Sequence, residues 1–202
     1  MSKHRFGFDY CALRYLNMWL ETERGPHEAL NGNDEEKQRK ALTSFAAGYS
    51  IARSLPKKYD SGSRFQPVLD IFKTLTREQF DSKSTIEVVK DVSGQISDKY
   101  GKRKVLSLTT KFLWLKFRSP IIIYDRQARE ALGTDNGDID AFYSKWREAF
   151  HNNEADVAAA CSSLSSAYRY TTTAPADIAQ ISSEQWFKER VFDMYLWSLK
   201  RK

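Results

Sequence analysis

The chain has 202 residues, 41% of them hydrophobic, and 32 basic against 26 acidic side chains leave a net charge of +6. A chain of this length buries roughly 70% of its unfolded surface on folding, so it can hold a core without disulfide or metal staples. Five Trp, ten Tyr and twelve Phe argue against disorder, and no apolar window approaches the roughly 18 residues of a membrane span.

The pattern predicts helix nearly throughout. Phe6 to Glu21 carries Phe6, Tyr10, Leu13, Leu16 and Leu20 at helical spacing, and Gly25-Pro26 with Asn31 to Asp34 reads as a loop. Asp34 is placed to cap a second helix to about Leu55, which Pro56 ends before an exposed turn at Tyr59 to Ser63. A short helix holds Phe65, Leu69 and Phe72, and Thr76 precedes a turn. Ser84 starts an amphipathic helix with Ile86, Val89, Ser93 and Ile96 inward. After the basic interruption Lys99 to Lys104, Val105 to Phe117 is the most apolar segment and is helical by length.

Ser119-Pro120 breaks that helix, and Ile121 to Tyr124 reads as a buried extended link. Asp125 caps a short helix to Leu132. Beyond the Gly133 to Gly137 turn, one helix carries Ile139, Phe142, Trp146 and Phe150, and another runs from Glu154 to Tyr170. Thr171 to Pro175 reads as a linker before a last helix from Ser183. The expectation is an all-α fold of eight to ten helices, one compact domain over residues 1–202 or one split into two helical lobes.

The surplus charge is local. From Asp98 to Glu130 there are nine basic and three acidic residues, so this stretch accounts for the whole +6. Within it, residues 101–132 (GKRKVLSLTTKFLWLKFRSPIIIYDRQAREAL) put a Gly101 turn before Lys102, Arg103 and Lys104, and later place Asp125 in front of Arg126 and Arg129. If the turn and the start of the later helix share a side, they make a basic surface with one carboxylate in it. Helix-start amides and basic side chains suit phosphates. The same features also fit a solvated charge run and an ordinary helix cap.

This succession of basic turn, apolar helix, Pro-led hydrophobic link and Asp before a basic helix resembles the second half of the helix-hairpin-helix DNA glycosylase domain. It is most similar to the divergent 8-oxoguanine-glycosylase-like fold proteins of bacteria. The resemblance covers about a sixth of the chain and implies a hairpin-like DNA-binding and catalytic segment at 101–132. It implies base excision from double-stranded DNA, with a modified nucleotide flipped into a pocket, serving DNA repair or antiviral defence against modified foreign DNA. Asp125 then matches the carboxylate that stabilises the cationic sugar. Gly101, Lys102, Arg103, Arg126 and Arg129 become DNA-binding residues, and Tyr124 and Trp114 candidates for contact with the flipped base. The family hairpin usually has two glycines, whereas only Gly101 is present here. The lysine nucleophile of bifunctional members falls near Leu106, leaving Lys111 and Lys104 as candidates and water as the alternative.

No cofactor or metal is expected, because His4, His27 and His151 share no ligand spacing with Cys11 or Cys161. The opening MSKHRFGFDYC has no clean apolar run ending in a cleavage site, so a soluble, reducing, intracellular setting is expected; the resemblance makes that a bacterial cytoplasm, and a monomer is expected. Two other readings stand beside the glycosylase: a non-enzymatic DNA-binding domain using the 98–130 basic face, and an interaction protein whose basic segment is only surface. The C-terminal Lys200-Arg201-Lys202 is a further candidate for DNA contact.

Overall fold

The computed structural model describes residues 7–51, 53, 55–56, 63–80, 85–171 and 174–199. Expectations resting on His4, Phe6, the Tyr59 turn, the Ser84 start and Lys200 to Lys202 lie outside the described residues. Among those described, the protein is all-α, with eleven α-helices and no strand. In chain order these are α1 (Phe8–Met18), α2 (Arg24–Asn31), α3 (Glu35–Gly48), α4 (Gln66–Phe72), α5 (Thr85–Lys99), α6 (Leu106–Phe117), α7 (Arg126–Leu132), α8 (Ile139–His151), α9 (Glu154–Ser163), α10 (Pro175–Ser183) and α11 (Gln185–Ser198). A π-helical turn, Trp19–Glu23, joins α1 to α2, and 3-10 turns cover Arg77–Gln79 and Leu164–Tyr170.

Two segments read as loops are helical, and proline explains both. Pro26 lies in α2 directly after the π-helical turn Trp19–Glu23, the local irregularity that goes with a residue lacking an N–H inside a continuous run of helix. Pro175 opens α10 at its first position, so the expected linker before the last helix is itself a helix start. Tyr10, expected on the inner face of α1, is exposed, while Cys11, Ala12, Tyr15 and Leu16 are buried there.

The chain divides into two compact units: Met1–Trp19 with Tyr124–Lys202, and Leu20–Ile123. In the first, α11 packs against α1, α7, α9 and α10. Its centre is aromatic: Trp186 lies 4.6 Å from Trp19, and Phe192 meets Trp146 edge-on at 5.2 Å, measured between ring centroids. Embedded there is an ion pair. Arg190 Nη1 donates to Asp193 Oδ2 at 2.8 Å, and Trp146 Nε1 donates from α8 to Asp193 Oδ1 at 2.8 Å. The Arg190 guanidinium also lies over the Tyr15 ring at 5.2 Å. Burial raises the Asp193 carboxyl to about 6, against the opposing pull of Arg190 and Trp146.

In the second unit α2 packs on α3 and α6, and α5 packs on α4 and α6. The most apolar segment of the sequence is its central helix: every residue of α6 from Leu108 to Leu115 is buried. Its last carbonyls, which no helical N–H can reach, are taken by side chains. His27 Nδ1 bonds Leu115 O at 2.5 Å, Asn31 Nδ2 donates to Lys116 O at 3.1 Å, and Arg77 Nη1 donates to Phe117 O at 2.5 Å. Burial holds the His27 imidazole down at about 4, so it is neutral at pH 7 and serves the carbonyl through an Nδ1–H.

Candidate functional site

The basic turn joins α5 to α6 through residues 100–105 and is built by a helix stop. Gly101 adopts φ +70°, and the Lys102 N–H returns to Ser97 O at 2.8 Å, the six-to-one bond of a Schellman cap. Lys102 also takes a positive φ of +58°, uncommon for a residue with a side chain. Ser97 Oγ donates to Arg103 O at 2.8 Å, and the Tyr100 hydroxyl donates to Arg64 O at 2.5 Å, so the turn is tied at both sides. Gly101, Lys102, Arg103 and Lys104 are all exposed. This is a helix–tight turn–helix element whose tip carries three cations.

Lys111 sits one turn and a half into α6 with 4% of its surface exposed. Its Nζ donates to Ser107 Oγ at 2.8 Å, one helical turn earlier. Lys104 is an exposed residue of the turn, so the two candidate nucleophiles have opposite environments. Trp114 is buried in the same helix.

Ile121 to Ile123 close the second unit and Tyr124 resumes the first, leading into Asp125; all four of Ile121 to Tyr124 are buried. Tyr124 is fixed by its hydroxyl, which accepts from the Gly137 N–H at 2.6 Å and donates to Asp135 O at 3.3 Å. Its ring meets Phe142 edge-on at 5.1 Å. Asp125 is the N-cap of α7: its Oδ1 accepts from the Gln127 N–H at 2.8 Å and the Ala128 N–H at 3.1 Å. Those amides, which the sequence offered to a phosphate, are therefore engaged by the carboxylate. Arg126 is exposed and lies 3.9 Å from Glu130 in a loose ion pair; Arg129 is half-buried and donates to Thr134 O at 3.1 Å.

The predicted residues thus fall into two sets: Tyr124, Asp125, Arg126 and Arg129 in the first unit, and Gly101 to Lys104, Lys111 and Trp114 in the second. Sequence reasoning missed three features. Glu23, at the end of the π-helical turn, is fully buried and accepts from the Tyr49 hydroxyl. The Arg190–Asp193 pair is equally inaccessible. A cavity of about 500 Å³ in the second unit is lined by Thr43, Ser50, Arg53, Arg64 and Phe65 among others, and none of the predicted site residues borders it. The charged run ETER around Glu23 reads as surface, and only its distant partner Tyr49 marks it as interior. The chain has no significant match to any family model, curated protein or solved structure.

Proposed function

We propose that the protein is a DNA glycosylase that removes a damaged or modified base by cleaving its N-glycosidic bond. The observation that carries this reading is the half-buried Asp125 carboxylate, held by two backbone N–H groups at the start of α7. The two bonds fix the carboxylate in place at the start of the helix. An anion of fixed position is what an oxocarbenium-like sugar requires as its glycosidic bond breaks. The exposed cations of the α5–α6 turn supply phosphate contacts that position a duplex without reading its sequence. Lys111 is the candidate amine nucleophile; without it, water attacks.

The test is incubation with duplexes carrying oxidised, alkylated or bulky modified bases, scored for free base and abasic sites. Release from one modification class supports the reading, and the absence of release from duplexes that the protein binds refutes it. A second reading, DNA binding without chemistry, is favoured by one specific observation: Asp125 Oδ1 is already committed as a cap to two amides. It predicts salt-dependent retention on DNA with no base released.

A further inference from the structure

The stop of α3 shapes an open cavity in the second unit, one that base release leaves unused. Thr43, Ala46, Ala47 and Ser50 line it, and their three-and-four spacing makes them one stripe of the helix and its stop. Ser50 ends α3 in a left-handed conformation, φ +52°, with the Ile51 N–H returned to Ala46 O at 3.2 Å. The reversal brings the chain back towards that stripe, and Arg53 and Leu55 form a second wall. Arg64 and Phe65, at the start of α4, form the third.

The lining runs from an apolar floor to a cationic rim. Ala46, Leu55 and Phe65 are buried, whereas Thr43, Ala47, Ser50 and Arg53 are exposed. Arg64 is half-buried and held in place. Its Nη2 donates to Leu55 O at 2.6 Å, its guanidinium lies 5.7 Å from the centre of the Phe65 ring, and its carbonyl accepts from the Tyr100 hydroxyl at 2.5 Å. None of the described residues that line the cavity is acidic. The carbonyls at the end of α3 do not oppose an anion either, because Ala46 O and Ala47 O are engaged by the Ile51 and Ser50 amides. The volume is about 500 Å³, inside the roughly 300–1,000 Å³ of small-molecule sites.

We propose that this cavity binds a small organic phosphomonoester, with its phosphate between Arg53 and Arg64 and its organic part against Leu55 and the alanines. A guanidinium stays protonated and presents N–H donors in a fork that matches phosphate oxygens. Two guanidinium groups balance a phosphomonoester, which carries about −1.5 to −2 charges at pH 7, whereas a single carboxylate leaves one of them uncompensated. The Ser50 hydroxyl adds a polar group at the rim. Thr43 Oγ1 donates to Arg39 O at 2.9 Å, so that residue serves the wall rather than the phosphate. The cavity borders no residue assigned to base release and stands or falls apart from the glycosylase reading.

Isothermal titration of the intact protein tests the assignment with adenosine 5′-monophosphate, ribose 5-phosphate, the unphosphorylated parent of each, and inorganic phosphate. At least one ester binds about ten-fold or more tightly than both its parent and inorganic phosphate. Adenosine monophosphate ahead of ribose phosphate makes the ligand a nucleotide; parity or the reverse order makes it a sugar phosphate. Arg53→Gln, at an exposed position, weakens the ester by about 10- to 100-fold, the size of a lost charge-assisted hydrogen bond. The melting temperature of the ligand-free variant stays at the wild-type value. Ala47→Phe, which adds bulk at the opening and keeps every charge, weakens the ester likewise. Arg24→Gln removes an exposed cation of the same unit that does not line the cavity, and it leaves the affinity unchanged. Two esters that bind no better than their parents, or no better than inorganic phosphate, overturn the proposal. So does wild-type affinity in Arg53→Gln or Ala47→Phe, or an equal loss in Arg24→Gln.

Discussion

The Arg190–Asp193 pair permits a sharp stability prediction. In Asp193→Asn the shape is kept, and the amide oxygen still accepts from Trp146 Nε1, as Oδ1 does now at 2.8 Å. What is lost is the charge opposite a guanidinium only 1% exposed. Breaking a buried pair from one side costs about 3–5 kcal/mol, most of it the penalty of an uncompensated charge. At about 2–4 °C per kcal/mol for a chain of this size, the melting temperature falls by roughly 6–20 °C. Urea unfolding followed by tryptophan fluorescence reads the effect directly, since Trp19, Trp146, Trp186 and Trp197 all belong to the first unit. Replacing both members, Arg190→Met with Asp193→Leu, recovers much of the loss. A loss under about 1 kcal/mol in Asp193→Asn, with an unchanged denaturant slope, refutes the claim that the buried Arg190 guanidinium depends on this charge.

Other outcomes follow from the same geometry. Burial pushes the Cys11 thiol up to about 11 and that of Cys161 up to about 12, so iodoacetamide at pH 7.5 labels neither in the native protein; rapid stoichiometric labelling contradicts this. His27 is held down at about 4, so its contribution to stability is complete above its unfolded value of 6.5 and is lost as pH falls towards 4; His27→Gln flattens that acid limb in urea midpoints measured against pH. Alanine at Lys102, Arg103 and Lys104 together reduces the salt slope of duplex binding by about 2–3, and an unchanged slope removes the turn from the DNA face. Asp125→Ala costs about 1 kcal/mol through the lost cap, whereas Asp125→Asn costs little.

Local chemistry made much of the fold legible. Asp34 accepts from the Lys37 N–H and Asp125 from two amides, as residues with short acceptor side chains before apolar helices should. The periodicity of Ile139, Phe142, Trp146 and Phe150 foretold the buried face of α8. The sequence was misread where one residue type has two uses. Proline punctuates a chain as readily as it sits in a helix: Pro175 opens α10, whereas Pro26 follows a π-helical turn, and only tertiary packing decides between these uses. The candidate site was partly legible for the same reason: Lys111 stood out as a lone cation in an apolar run, and its burial bears that setting out. Glu23 and Asp193 stood in charged stretches, and their partners Tyr49 and Trp146 lie 26 and 47 residues away. No spacing rule reaches that far.

The central claim turns on the charge of Asp125, and one substitution isolates it. Asparagine is as good an N-cap as aspartate, so Asp125→Asn keeps the bonds to the Gln127 and Ala128 amides and removes only the negative charge. The measurement is single-turnover base release from a duplex the wild type processes, at saturating protein, with binding to the same duplex recorded in parallel. The account predicts unchanged binding and a rate about 100- to 1,000-fold lower, the range for removing one transition-state electrostatic contact. A variant that releases base at the wild-type rate contradicts it.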